Sequence, residues 1–137
     1  MPGELVVDAS VAAKIYFDEG DADVAAAALV SADALIAPDL IFIEMASVSA
    51  KRVRRGMSPA HSALLAVRDL PALFEETPRA ADLRVRAYEL ACEHGFSAYD
   101  GVYLALAEIR SATLLTADER LVQRARESGL AHLVRLL

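Results

Sequence analysis

The chain has 137 residues, 55% of them hydrophobic, with 14 basic and 20 acidic side chains and a formal net charge of −6. That length suits one domain with a real apolar core and is short for two, and the composition excludes a disordered chain. The negative charge argues against a protein held on nucleic acid by overall charge, and the longest apolar run, Val24 to Val30, is far short of a membrane span.

Leu5, Val6 and Val7 predict a short buried strand that runs into Asp8, and the residues from Ala9 onward read as a helix. An acid at the carboxyl end of a strand stands where α/β proteins concentrate their chemistry. Phe17 to Gly20 reads as a turn, and Asp21 to Val30 as a second helix that begins with acids. Ala34 to Ala37 predicts a strand closed by Pro38, and Asp39 to Arg55 a long helix stopped by Gly56. Ser58 as an N-cap, with Pro59 at the first helical position, starts a helix that runs to about Leu70 and is ended by Pro71. Leu73 to Thr77 predicts an edge strand. Pro78 opens a helix whose Leu83, Ala87, Leu90 and Ala91 recur at helical spacing until Gly95. Ser97 to Arg110 predicts a helix carrying Tyr99, Val102, Tyr103 and Leu106 along one stripe. Ala112 to Thr116 follows as a strand, Asp118 to Ser128 as a helix and Leu130 to Leu136 as a last strand. Short strands separated by helices predict a single α/β domain over residues 1–137. Its short central parallel sheet is expected to carry helices on both faces, joined by right-handed crossovers.

The single cysteine, Cys92, cannot form an internal disulfide, and His61, His94 and His132 are scattered without zinc-site spacing. Glu4 and Asp8 stand where a secretory leader would carry basic residues and a long apolar segment, so a cytoplasmic protein is expected.

Four acids stand out. Asp100 lies in Ser97-Ala98-Tyr99-Asp100 and Glu119 in Thr116-Ala117-Asp118-Glu119, and both segments match a capping box, so Asp100 and Asp118 have structural readings as helix starts. Asp8 could cap its own helix. Glu44 is harder to explain that way: Leu40, Ile41, Ser47 and Val48 are its helical neighbours, and a carboxylate among them is drawn inward, at a cost that a partner cation or a metal would offset. Asp8 and Asp118 both follow strands, which in a parallel sheet share the carboxyl-terminal edge, and Asp100 opens the helix before the second of those strands. Oxygen-only ligands suit hard cations, Mg2+ or Mn2+, and clustered carboxylates can hold two such ions around a phosphodiester.

Val6-Val7-Asp8-Ala9-Ser10-Val11, Pro38-Asp39-Leu40 leading to Glu44, Ser97 to Ala107 and Leu115 to Leu121 together resemble the motifs of PIN-domain ribonucleases. A bare domain of this size is most similar to the VapC-type toxins of toxin–antitoxin pairs. The resemblance implies a metal-dependent endoribonuclease with Asp8, Glu44, Asp100 and Asp118 at the acidic metal-binding positions and Ser10 and Thr116 at supporting hydroxyl positions. It also implies Mg2+ or Mn2+ as cofactor, RNA as substrate, a cognate antitoxin and a homodimer. Ser47 stands where the family often has asparagine, and a hydroxyl there could still orient a carboxylate or water over a shorter reach.

Lys51 lies two helical turns beyond Glu44 on the same face, about 10 Å along the axis, and Arg55 one turn further, so these cations could guide an RNA backbone toward the acids. The same residues also suit the dipole of a helix C-terminus. Lys14, one turn beyond Ser10, reads as a phosphate contact or a surface residue. Tyr16, Tyr99 and Tyr103 are expected in the core, with base stacking as the alternative. The rival from another class is a non-catalytic interaction module whose acids cap helices. A phosphatase using Asp8 as nucleophile would want an acid at position 10, where Ser10 stands, and the glycine patterns of nucleotide-binding loops are absent.

Overall fold

The computed structural model describes residues 3–17 and 20–137. The expected turn at Phe17 to Gly20 includes Asp18 and Glu19, which lie outside the described residues. The chain forms β1 (Glu4–Val7), α1 (Ala9–Phe17), α2 (Ala22–Val30), β2 (Ala34–Ile36), α3 (Leu40–Arg54), α4 (Ala60–Asp69), α5 (Arg84–His94), α6 (Ala98–Arg110), β3 (Thr113–Thr116), α7 (Glu119–Glu127) and β4 (Val134–Leu136).

The four strands pair in parallel in the order β2-β1-β3-β4, with Val6 opposite Ile36 on one side and Leu114 on the other. The strands alternate between two cores, as a sheet buried on both faces must. Val6, Ile36 and Leu114 pack with Ile41, Met45, Leu90, Leu104 and Leu106 on one face. Leu5, Val7 and Leu115 pack with Val11, Ala25 and Leu29 on the other. The chain leaves β1 toward β2 and later returns to β3 on β1's opposite side. The carboxyl ends of β1 and β3 therefore flank a topological switch point, the place where open parallel sheets form a crevice.

Helix α6 runs through the first core, with Gly101 through Ala107 all buried. Its close approach to α5 depends on Gly101, where an added Cβ would lie 2.8 Å from the carbonyl oxygen of Ala87. Gly95, at φ 74°, ends α5 in the left-handed conformation that glycine adopts at low cost.

Local details depart from the sequence expectations. Instead of an edge strand over Leu73 to Thr77, a 3-10 turn at Leu70–Leu73 precedes one isolated parallel bridge between Ile36 and Glu76. Pro78 has no N–H with which to extend that ladder. The segment after Pro78 begins with a 3-10 turn at Ala80–Leu83, and the α-helix starts only at Arg84. Ser58 does not cap α4: Pro59 occupies the cap position, and the Ser58 hydroxyl accepts from Arg52 Nε at 2.9 Å. A 3-10 turn at Ala131–Leu133 shortens the last strand to three residues.

Candidate active site

Asp8 leaves the end of β1 and stays tied to the sheet, its N–H donating to the Leu115 carbonyl at 3.1 Å. Its carboxylate is held from two sides. Oδ2 accepts from Ser10 Oγ at 2.7 Å and from Thr116 Oγ1 at 2.6 Å. Each hydroxyl in turn accepts a backbone N–H, Ser10 from Ala117 at 3.0 Å and Thr116 from Asp118 at 3.1 Å. A hydroxyl has one proton and two lone pairs, so each of these can accept its N–H through one lone pair while donating its proton to Asp8. Oδ1 of Asp8 has no hydrogen-bond partner among the described residues.

Glu44 comes from the second turn of α3 and is half-buried. Tyr103 of α6 donates its hydroxyl to Glu44 Oε1 at 2.5 Å. Burial pushes the Glu44 carboxyl above the usual carboxylate range, the Tyr103 hydrogen bond pulls against that, and the charges of Asp8 and Asp100 add to the rise.

Asp100 sits in the first turn of α6, where its N–H donates to the capping Ser97 hydroxyl at 3.0 Å. Burial raises its pKa and nearby Asp8 adds to this; hydrogen bonding with Ser97 opposes the rise, and Asp118 contributes a further push. Asp118 itself is the N-cap of α7, its Oδ1 accepting from the N–H groups of Arg120 at 3.0 Å and Leu121 at 3.2 Å. The capping box expected from Thr116 is thus corrected: Asp118 caps the helix, and the Thr116 hydroxyl turns instead to Asp8.

The four acids therefore arrive from four parts of the chain and feel one another's charge, Asp8 with Glu44 and Asp100, and Asp100 with Asp118. Among the described residues none of them forms an ion pair with a lysine or arginine. Oxygen donors alone, with unsatisfied oxygens and uncompensated negative charge, fit a hard divalent cation. The acids converge without closing on one another. Among the described residues no group of three or more His, Cys, Asp or Glu side chains is disposed to hold a metal ion as it stands.

The remaining sequence candidates lie further out. Ser47 is exposed and hydrogen-bonds none of the four acids among the described residues. Lys14 Nζ is 3.0 Å from Asp21 Oδ2, so that cation is already engaged. Lys51 and Arg55 are exposed at the far end of α3, while Arg52 lies over the Phe17 ring with 4.5 Å between its guanidinium carbon and the ring centroid. Tyr103 is buried and Tyr16 half-buried, but Tyr99 is 64% exposed and is not a core residue. Tyr99 stands in the first turn of α6, beyond the edge of the core that covers the rest of the stripe. The contact that sequence reasoning missed is Tyr103 with Glu44; its signal was the three-residue spacing from Asp100, which puts Tyr103 on the same helix face.

Comparison with known proteins agrees with this architecture. The family model described as PIN domain matches residues 5–127. Ribonuclease VapC3 of Pyrobaculum aerophilum is 34% identical over 123 residues, covering 88% of this chain and 94% of that protein. The crystal structure of PAE2754 from Pyrobaculum aerophilum has a similar fold, with a TM-score of 0.66 over 97% of this chain and 98% of that one, at 22% identity.

Proposed function

The chain belongs to the PIN-domain family, and on that premise we propose that it is a metal-dependent endoribonuclease, the toxin of a type II toxin–antitoxin pair. The observation that carries this reading is the acid Asp8, held through one oxygen by two hydroxyls at the sheet's switch point, with the charges of Glu44, Asp100 and Asp118 near it and, among the described residues, no lysine or arginine ion-paired with any of the four.

In this reading Asp8, Glu44, Asp100 and Asp118 are the catalytic and metal-holding residues, and Ser10 and Thr116 support them. Nucleases of this family generally use divalent metal ions, and Mg2+ or Mn2+ suits an all-oxygen set. When bound, such an ion supplies the Lewis acidity that makes water nucleophilic at neutral pH and offsets charge on the phosphate oxygens. The protein's own part is orientation. Two hydroxyls hold Asp8 by Oδ2, which leaves its Oδ1 for a cation, and Asp118 keeps Oδ2 available because Oδ1 is spent on the helix cap. Phosphate oxygens and water would complete the coordination that the carboxylates leave open, as is common for Mg2+.

RNA is the proposed substrate, steered by Lys51 and Arg55 with Lys14 as a further contact. The three histidines, His61, His94 and His132, are scattered in the sequence and offer no evident pair for acid–base cleavage through a cyclic phosphate. The products are therefore expected to carry 5′-phosphate and 3′-hydroxyl ends. No helix among the described residues is long and apolar enough to cross a membrane, and the proposed site of action is the cytoplasm. The proposed partners are a cognate antitoxin and a second copy of the chain. Exposed apolar side chains such as Ile43, Val85, Tyr88 and Tyr99 support the presence of such interfaces.

End-group analysis of cleaved RNA tests the chemistry. With Mg2+ or Mn2+ the expected products have 5′-phosphate ends and disappear when a chelator is added; chelator-resistant cleavage giving cyclic phosphates would overturn the mechanism.

A further inference from the structure

Helix α6 contributes more to the acidic cluster than Asp100. Tyr103 lies three residues on, on the same face, and reaches across to α3, 59 residues away in sequence, to hold Glu44 Oε1. The ring is 2% exposed and packed in the core, so its hydroxyl is a fixed point rather than a mobile donor. Oε2 of Glu44 has no hydrogen-bond partner among the described residues. We infer that Tyr103 is a positioning residue: its hydroxyl holds one oxygen of Glu44 and leaves the other as a ligand for a divalent cation.

This inference rests on the metal-holding role proposed for Glu44. The chemistry of the donor is suited to it. A phenol is neutral at physiological pH, so it fixes the direction of the carboxylate without cancelling the charge a cation would bind. Lysine or arginine in its place would fix the carboxylate and also compete with the cation for it. Partners of this kind, one step removed from the ion, typically alter metal affinity by about 10-fold to 100-fold when lost.

The test is calorimetric titration of the RNA-free protein with Mn2+, applied to the unsubstituted chain, Tyr103→Phe, Glu44→Ala and the double variant. Tyr103→Phe keeps the ring and its volume, and its thermal midpoint with chelator reports whether the fold is kept. The expected result is Mn2+ affinity about 10-fold weaker in Tyr103→Phe, and no further loss when Tyr103→Phe is added to Glu44→Ala. Unchanged affinity in Tyr103→Phe, or the same loss in both backgrounds, would overturn the inference while leaving the metal reading intact. Absence of Mn2+ binding by the unsubstituted protein, or full binding by Glu44→Ala, would overturn Glu44's metal role itself. A second readout needs no change at position 103: Mn2+ should perturb tyrosine absorption in the unsubstituted protein, and Glu44→Ala should abolish that perturbation. A perturbation that survives Glu44→Ala contradicts the coupling.

Discussion

Thr116 Oγ1 and Asp8 Oδ2 lie 2.6 Å apart although 108 residues separate them in the chain. The contact follows from sheet register: Val7 pairs with Leu115, so the residue after each meets at the carboxyl edge. Thr116→Val keeps the shape and removes the hydroxyl. Asp8 loses one of two donors and the Asp118 N–H loses its acceptor, at a site where Thr116 is fully buried. Urea unfolding is expected to show a loss of about 1–3 kcal/mol, and metal-supported RNA cleavage a drop of about 10-fold. Unchanged stability would mean that water replaces the lost partner at no cost.

The crowding of acids sets a pH dependence. Glu44 and Asp100 titrate above their ordinary values of 4.5 and 3.8 in the folded state. Between the unfolded and folded values the native state binds more protons, so stability contributed by these groups falls as pH rises through that window. Below the unfolded values both states are protonated and the penalty vanishes. In chelator at neutral pH, Glu44→Gln and Asp100→Asn should therefore melt higher than the unsubstituted protein, with the gap closing as pH drops below about 4. Thermal melts across pH check this; variants that melt lower at neutral pH would show that the acids are not in repulsion.

Gly101 decides how closely α5 and α6 pack. Alanine would gain about 1 kcal/mol in helix propensity, but its Cβ would meet Ala87 backbone atoms at 2.8, 3.1 and 3.3 Å, which cannot swing aside as a side chain does. The steric term wins, and Gly101→Ala is expected to lower stability by about 1–3 kcal/mol. Because Asp100 is its neighbour, cleavage should fall as well. A melting temperature at or above that of the unsubstituted protein would contradict this packing.

The proposed substrate cations separate by their present engagement. Lys51 and Arg55 are exposed, whereas Lys14 is paired with Asp21. Lys51→Ala and Arg55→Ala should each weaken RNA binding and reduce the slope of log affinity against log salt by about one unit, with a smaller change for Lys14→Ala. Binding can be followed with Asp100→Asn protein, which should not cut the RNA during the measurement. Slopes that stay constant would remove Lys51 and Arg55 from the RNA path.

The sequence made the strands, most of the helices and the four acids legible because each has a local signature: β-branched runs, capping residues, an acid after a strand. Asp8 and Asp118 could be expected together from the parallel-sheet rule alone. What escaped depended on contacts made over distance. The spacing from Asp100 puts Tyr103 on the acid's helix face, but that its hydroxyl reaches Glu44, 59 residues away on α3, is a contact no local pattern encodes. The Thr116 hydroxyl had a nearby helix to cap and turned to Asp8 because β1 lies beside β3. Helical periodicity puts Tyr99 and Tyr103 on one stripe but does not say where the covering core ends, so one is exposed and the other buried. The segment from Leu73 to Thr77 has strand-like residues, yet it has only one bridge to β2.

The four acids are proposed to cut RNA. The direct measurement is cleavage of one RNA under matched conditions by the unsubstituted protein and by Asp100→Asn, with Mn2+ present and folding of both confirmed by thermal melts. Metal-supported cleavage is expected from the former and at least about 100-fold less from the latter, with the melting temperature of the variant unchanged or raised. Equal cleavage by the two folded proteins would contradict the catalytic role of Asp100 and favour a module in which the acids serve only to cap helices.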